Sequence, residues 1–188
     1  MFPFRLPIGL VIAVQAAAWI APAPFFGRGH RTLHALGLLV IFAGLALRAW
    51  GAGNAGFHTR SGRIEAPRLS TSGPFGHVRN PIYLGSILLG VGMSLVIGDP
   101  LAFLFTAIAF SMLYFGIVPA EEEFLLNHFG TEYLRYRDAV PRFIPLLHPW
   151  RGRTKFTFEW KAIRGEFGIL LVLVGIYAFL LLKNHLGV

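Results

Sequence analysis

Cysteine is absent from the 188 residues, and three methionines are the only other sulfur source. That excludes a disulfide framework and any thiolate metal site. Charge is scarce too: 14% of residues are charged, and nine acidic residues face 17 Lys and Arg. A soluble domain carries about a quarter charged residues, so this chain cannot present charge to water on all sides. The same shortage excludes a disordered chain and a coiled coil. Also missing are internal repeats, low-complexity tracts, an H-E-x-x-H motif and any assembly resembling a Ser/His/Asp triad.

What is present is apolar: 55% of the residues are hydrophobic, 18 of them Phe, and mean hydropathy is +0.61. Crossing the ~30 Å hydrocarbon core of a bilayer takes about 20 mostly apolar residues. Five stretches qualify, roughly Pro7–Phe26, Leu33–Trp50, Pro81–Gly98, Leu101–Pro119 and Phe167–Leu182. The expectation is an all-α polytopic membrane helical bundle, one integral membrane domain over 1–188 with about five transmembrane helices. Gly98-Asp99-Pro100 forms a tight turn that makes the third and fourth spans an antiparallel hairpin. Arg5, the first apolar run and Ala21-Pro22-Ala23 have the layout of a cleaved signal peptide. The reading adopted is an uncleaved anchor.

Orientation follows from the basic residues. Five spans put the N-terminus, Gly51–Asn80 and Ala120–Glu166 on one side with thirteen Lys and Arg, against Arg28, Arg31 and Lys183 on the other. Positive residues stay inside, so both long polar segments are expected in the cytoplasm. Arg48 falls within a span, near enough to its end to snorkel.

The two polar segments would then meet on one membrane surface. In the first, Pro81 suits the opening turn of a helix, with Asn80 before it as N-cap. Arg79 therefore stands at a helix mouth, where a guanidinium and free amides suit an anion, although an interfacial anchor has the same appearance. The second segment opens Glu121-Glu122-Glu123 at a helix C-terminal end, which disfavours negative charge. A compensating cation is expected: Arg79, a downstream arginine, or a bound cationic ligand. Beyond it, Leu125, Leu126, Phe129, Tyr133, Tyr136 and Val140 recur at helical spacing, broken by Gly130 with Thr131 as a second N-cap. This cytoplasmic amphipathic stretch should lie on the bilayer or cap the bundle.

Other signals lack context. Gly51-Ala52-Gly53-Asn54-Ala55-Gly56 matches G-x-G-x-x-G but follows an apolar helix rather than a strand. His30 and His34 share a helical spacing without a nearby carboxylate, so no metal site is expected there. The basic Arg151–Arg164 run, with Trp150, Phe156, Phe158 and Trp160, suits lipid headgroups; next to a membrane, no nucleic-acid partner is inferred.

Gly73-Pro74-Phe75-Gly76-His77-Val78-Arg79-Asn80-Pro81-Ile82-Tyr83-Leu84-Gly85 resembles the G-x-Y-x-x-x-R-H-P-x-Y-x-G signature of the isoprenylcysteine carboxyl methyltransferase family. Glu121-Glu122-x-x-Leu125-x-x-x-Phe129-Gly130-x-x-Tyr133-x-x-Tyr136-x-x-x-Val140-Pro141 resembles its second signature, one helical hairpin away. The likeness covers about 33–145, leaving 146–188 as a basic segment plus an extra helix. It implies a membrane-embedded methyltransferase that uses S-adenosyl-L-methionine, entering from the cytoplasm, without a Rossmann domain. It further implies a cofactor grip by Arg68, Leu69, Ser70, Phe75, Asn80, Pro81, Ile82, Tyr83 and Glu121. Among these and their neighbours, Arg79, Glu121 and Glu122 are the candidate catalytic residues: a carboxylate for the cofactor's cationic part, Arg79 or helix-mouth amides for its carboxylate. The acceptor implied is a small lipophilic molecule or lipid, methylated at O, S or N.

Three departures bear on that acceptor. Asn80 replaces the family's His, Phe75 its Tyr, and Tyr114–Ala120 lacks the Arg that prenylcysteine enzymes place before the Glu pair. The last argues against a carboxylate acceptor. Sterol reductases carry a similar R-H-P-x-Y motif and use NADPH, so an oxidoreductase is the alternative enzyme reading, and a non-catalytic membrane scaffold the third.

Overall fold

The computed structural model describes residues 31–55, 68–152 and 158–186, and these are helical with turns and extended connections. The expected first span, Pro7–Phe26, and His30 lie outside the described residues. Six helices follow in order: α1 Arg31–Ala55, α2 Pro81–Ile97, α3 Pro100–Met112, α4 Val118–Phe129, α5 Thr131–Ala139 and α6 Arg164–Leu186. Among the described residues, three helical stretches are long and apolar enough to cross a membrane: Arg31–Ala55, Pro100–Phe129 and Trp160–Lys183. α2 is equally apolar but has 17 residues, about 25 Å at 1.5 Å per residue. The chain is thus an integral membrane protein built from helices.

α1 and α2 run antiparallel in intimate contact, and glycine makes that possible. Gly37, Gly44 and Gly51 recur every seventh residue on α1 and meet Gly92, Gly85 and Ile82 of α2. A Cβ on Gly44 would lie 2.8 Å from the Gly85 carbonyl oxygen. In lipid there is no hydrophobic drive between helices, so close backbone approach supplies the packing instead. α2 ends on Gly98 at φ 70°, whose N–H donates to the Ser94 carbonyl. The Asp99 side chain then accepts from the Leu101 N–H at 2.7 Å, starting α3 as the returning arm of the expected hairpin. Ser94 and Thr106 hydroxyls meet at 3.0 Å across it. Leu89, Met93, Val96 and Ile97 of α2 pack with Ala102 of α3 and Leu173, Ile176 and Leu180 of α6.

Three expectations are corrected. The fourth span does not stop at Pro119: a π-helical turn, Leu113–Ile117, carries the helix on into α4. Pro119 has no N–H to give the preceding turn, and a widened turn is one way to absorb that loss. Arg48 does not snorkel. It is 3% exposed and its Nε donates to Glu166 of α6 at 2.8 Å. Thr131 opens α5 as its first residue, and Gly130, at φ 52°, is the junction between α4 and α5.

The amphipathic stretch caps the bundle. Tyr133, Tyr136 and Val140 are buried with Leu69, flanked by Leu125, Leu126, Phe129 and Trp150. Its apolar stripe therefore covers the loop ahead of α2. That loop is pinned by backbone bonds from the Arg79 N–H to Pro141, the Leu146 N–H to His77 and the Trp150 N–H to Gly76.

Candidate functional site

The loop before α2 makes a 3₁₀ turn at Gly73–Gly76, entered through Gly73 at φ 56°. The Asn54 side-chain amide packs against Gly73, so a Cβ there would overlap it. Asn54 in turn donates to the Trp50 carbonyl at 2.9 Å. The glycine-rich end of α1 is a packing surface: Gly51 faces Ile82, and Gly53 lies under the Phe158 ring. His34 meets the Tyr177 hydroxyl at 3.0 Å, and among the described residues no His/Asp/Glu group is arranged for a metal ion.

The glutamates at the start of α4 separate sharply. Glu122 is 8% exposed and shared by two arginines. Arg79 Nε donates to it at 3.1 Å, and Arg142 donates through Nε at 3.1 Å and Nη2 at 2.6 Å. Arg79 Nη1 also reaches the Val140 carbonyl at 3.0 Å and the Arg137 carbonyl. Arg79 thus ties the mouth of α2 to the end of α5, with its side chain only 11% exposed. The hydrogen bond it donates to Glu122 holds the Arg142 guanidinium above its ordinary range, and that guanidinium lies 5.5 Å from the Tyr114 ring centroid. Two cations on one carboxylate leave the cluster with one surplus positive charge.

Glu121, one residue earlier, has no cation. It accepts a 2.6 Å hydrogen bond from the Tyr83 hydroxyl, and among the described residues no Lys, Arg or His lies within ion-pairing distance of it. The helix runs on through Glu121–Glu123 instead of ending before them, and the expected compensating cations fall on Glu122 alone. Glu123 is exposed.

The remaining candidates divide between lining and support. Asn80 occupies the N-cap position, but its side chain donates instead to the Arg142 carbonyl at 3.4 Å, and its own carbonyl accepts from the Leu84 N–H. Pro81 is buried at the first turn, next to Ile82 and Tyr83. The Phe75 carbonyl accepts from Tyr136 at 2.8 Å; burial raises that phenol, which keeps it a donor. Leu69 is core, and Ser70 is half-buried. Arg68 is largely exposed, 4.0 Å from Glu159. Arg79, Asn80, Tyr83, Glu121 and Glu122 are thus brought together, while Arg68 stands apart, with Glu159.

Arg142 and Tyr83's tie to Glu121 went unassigned in the sequence. An arginine past α5 was foreseen only as one of several downstream cations; the pairing needs the turn after Val140, which no local pattern reveals.

A family model for phospholipid methyltransferases matches residues 32–132. Among curated proteins, protein-S-isoprenylcysteine O-methyltransferase B of Arabidopsis thaliana is 27% identical over 74% of this chain and 74% of its own length. The rat protein-S-isoprenylcysteine O-methyltransferase is 29% identical over 61% of this chain, and the match spans 42% of the rat protein. The cobalt-zinc-cadmium resistance protein CzcN of Cupriavidus metallidurans is 30% identical over 47% of this chain and 41% of its own. The chain thus spans three quarters of the plant relative and less than half of the other two. No solved structure matches.

Proposed function

The chain is an isoprenylcysteine methyltransferase-like member of the phospholipid methyltransferase family, and from that premise we propose that it is an S-adenosyl-L-methionine-dependent membrane methyltransferase acting on a small lipophilic acceptor. The observation that carries the reading is the unequal fate of two adjacent carboxylates. Glu122 is neutralised twice over, whereas Glu121 is oriented by Tyr83 and, among the described residues, left without a cation. A site with a spare carboxylate beside a surplus guanidinium complements a ligand carrying both signs of charge. S-adenosyl-L-methionine has that character, with its sulfonium and ammonium groups and its carboxylate, so the donor set fits.

When bound, the cofactor supplies an electrophilic methyl group on a cationic sulfur. Glu121 would receive the cationic portion, and Tyr83 holds that carboxylate in place. The Arg79–Glu122–Arg142 cluster, positive overall, would hold the cofactor's carboxylate, aided by Asn80 and the amides of the first turn of α2. Phe75 and Ser70 complete the grip. Methyl transfer from a sulfonium neutralises charge, so the chain's contribution is to hold donor and acceptor at ~3–3.5 Å and to keep water out. A site at the ends of apolar helices does both, and an acceptor arrives from the bilayer. The orientation that suits this has the polar cap in the cytoplasm and about five spans, as the basic residues argue.

Transfer of labelled methyl from S-adenosyl-L-methionine into the organic phase, with extracted membrane lipids as acceptors, tests the proposal. Label in the lipid fraction, lost with Glu121→Gln, is expected. Wild-type protein that transfers none, yet oxidises NADPH with the same lipids, would establish the reductase reading instead.

A further inference from the structure

α6 enters the site from a distance. Arg48, Glu166 and Ser86 are each at most 6% exposed, and they come from three helices. Arg48 donates to Glu166 through Nε at 2.8 Å and Nη2 at 3.4 Å. Its Nη1 donates to the Ile82 carbonyl at 3.3 Å and to the Ser86 hydroxyl, and Ser86 itself donates to the Ile82 carbonyl at 3.0 Å. The Ile82 carbonyl belongs to the peptide that carries the Tyr83 nitrogen. Fixing that peptide fixes the Tyr83 Cα, and Tyr83 is the residue that orients Glu121.

We infer that Glu166, acting through Arg48, is a positioning residue for the Tyr83–Glu121 pair, which makes α6 part of the site's scaffold. The inference rests on the proposed function. A charged pair among apolar helices is an expensive way to hold them, since apolar residues of similar volume pack as well or better. What an apolar pair cannot do is grip a carbonyl in the first turn of α2. The guanidinium does so with one edge while Glu166 holds its other edge.

The test uses the full chain in detergent, S-adenosylhomocysteine as ligand, and two readouts, calorimetric affinity and apparent thermal midpoint. Glu166→Gln should bind roughly tenfold more weakly, because the guanidinium is no longer held in register. The paired variant Arg48→Met/Glu166→Leu should recover the thermal midpoint of the wild type but keep the weakened affinity. Recovery of both would make the pair a purely structural bolt and overturn the inference. Should the variants not fold, hydrogen exchange on the wild type decides. Coupling is reciprocal, so saturating ligand should slow exchange in the first turn of α6 as well as around Tyr83. Slowing around Tyr83 alone would refute the inference. Wild-type protein that binds no S-adenosylhomocysteine would count against the proposed function itself.

Discussion

Glu121 and Glu122 are neighbours with opposite assignments, and substitution should separate them. Glu122 compensates the largely buried Arg79 as well as the half-buried Arg142, so Glu122→Ala leaves an uncompensated charge and is expected to cost on the order of 3 kcal/mol, read as a lower apparent thermal midpoint. Glu121→Gln removes no such support. It should leave the midpoint within a degree or two of wild type while removing a charged contact worth about 1.5–3 kcal/mol to a cationic ligand, roughly a ten- to hundredfold loss in affinity. Tyr83→Phe keeps the charge but frees the carboxylate, so a smaller loss of about three- to tenfold is expected by titration. An unchanged affinity in Tyr83→Phe would mean that the 2.6 Å bond does not orient the site. Reading the residues in order revealed the glutamate cluster and the need for a cation, because both are local. Which glutamate is paired was not legible: Arg142 and Glu122 meet only after two helices and a turn have placed them, 20 residues apart.

At the level of elements, α1 and α2 depend on backbone contact at glycine. Gly44→Val should force the helices apart, because its Cβ alone would sit 2.8 Å from the Gly85 carbonyl oxygen. Overpacking of this kind costs typically 1–3 kcal/mol. It should lower the apparent thermal midpoint and, by moving the mouth of α2, ligand affinity with it. An exposed glycine provides the control: a Cβ on Gly175 would meet nothing within 4 Å, so Gly175→Ala should leave both readouts unchanged. Helix starts and stops were legible where one residue decides them, as at Pro81 and Gly98. The continuation of α3 through a π-helical turn into α4 was not, since Pro119 reads as a terminator when taken alone. Arg48 was misread for a related reason. A lone arginine near a span's end looks like a snorkelling anchor until Glu166, 118 residues away, is folded against it.

For the whole molecule, the absence of cysteine excludes thiolate chemistry and also makes orientation measurable. Single cysteines at exposed Arg137 and at Asp99, on the turn between α2 and α3, should label from opposite sides with an impermeant maleimide in intact cells. Arg137→Cys should label only after the membrane is opened, and Asp99→Cys from outside; the reverse pattern would invert the topology. Membrane character was legible from composition, since it is a bulk property. The tie of α6 to α1 and α2 through Glu166 and Arg48 was not, because it is a three-helix contact between distant residues. The central claim is that Glu121 receives the cationic part of a methyl donor. Calorimetric titration of the detergent-purified wild type and of Glu121→Gln with S-adenosyl-L-methionine, and with NADPH, tests it most directly. The account predicts saturable binding of S-adenosyl-L-methionine, weakened roughly ten- to hundredfold by the substitution, and no binding of NADPH. Equal affinity in the two proteins, or saturation by NADPH alone, would contradict it.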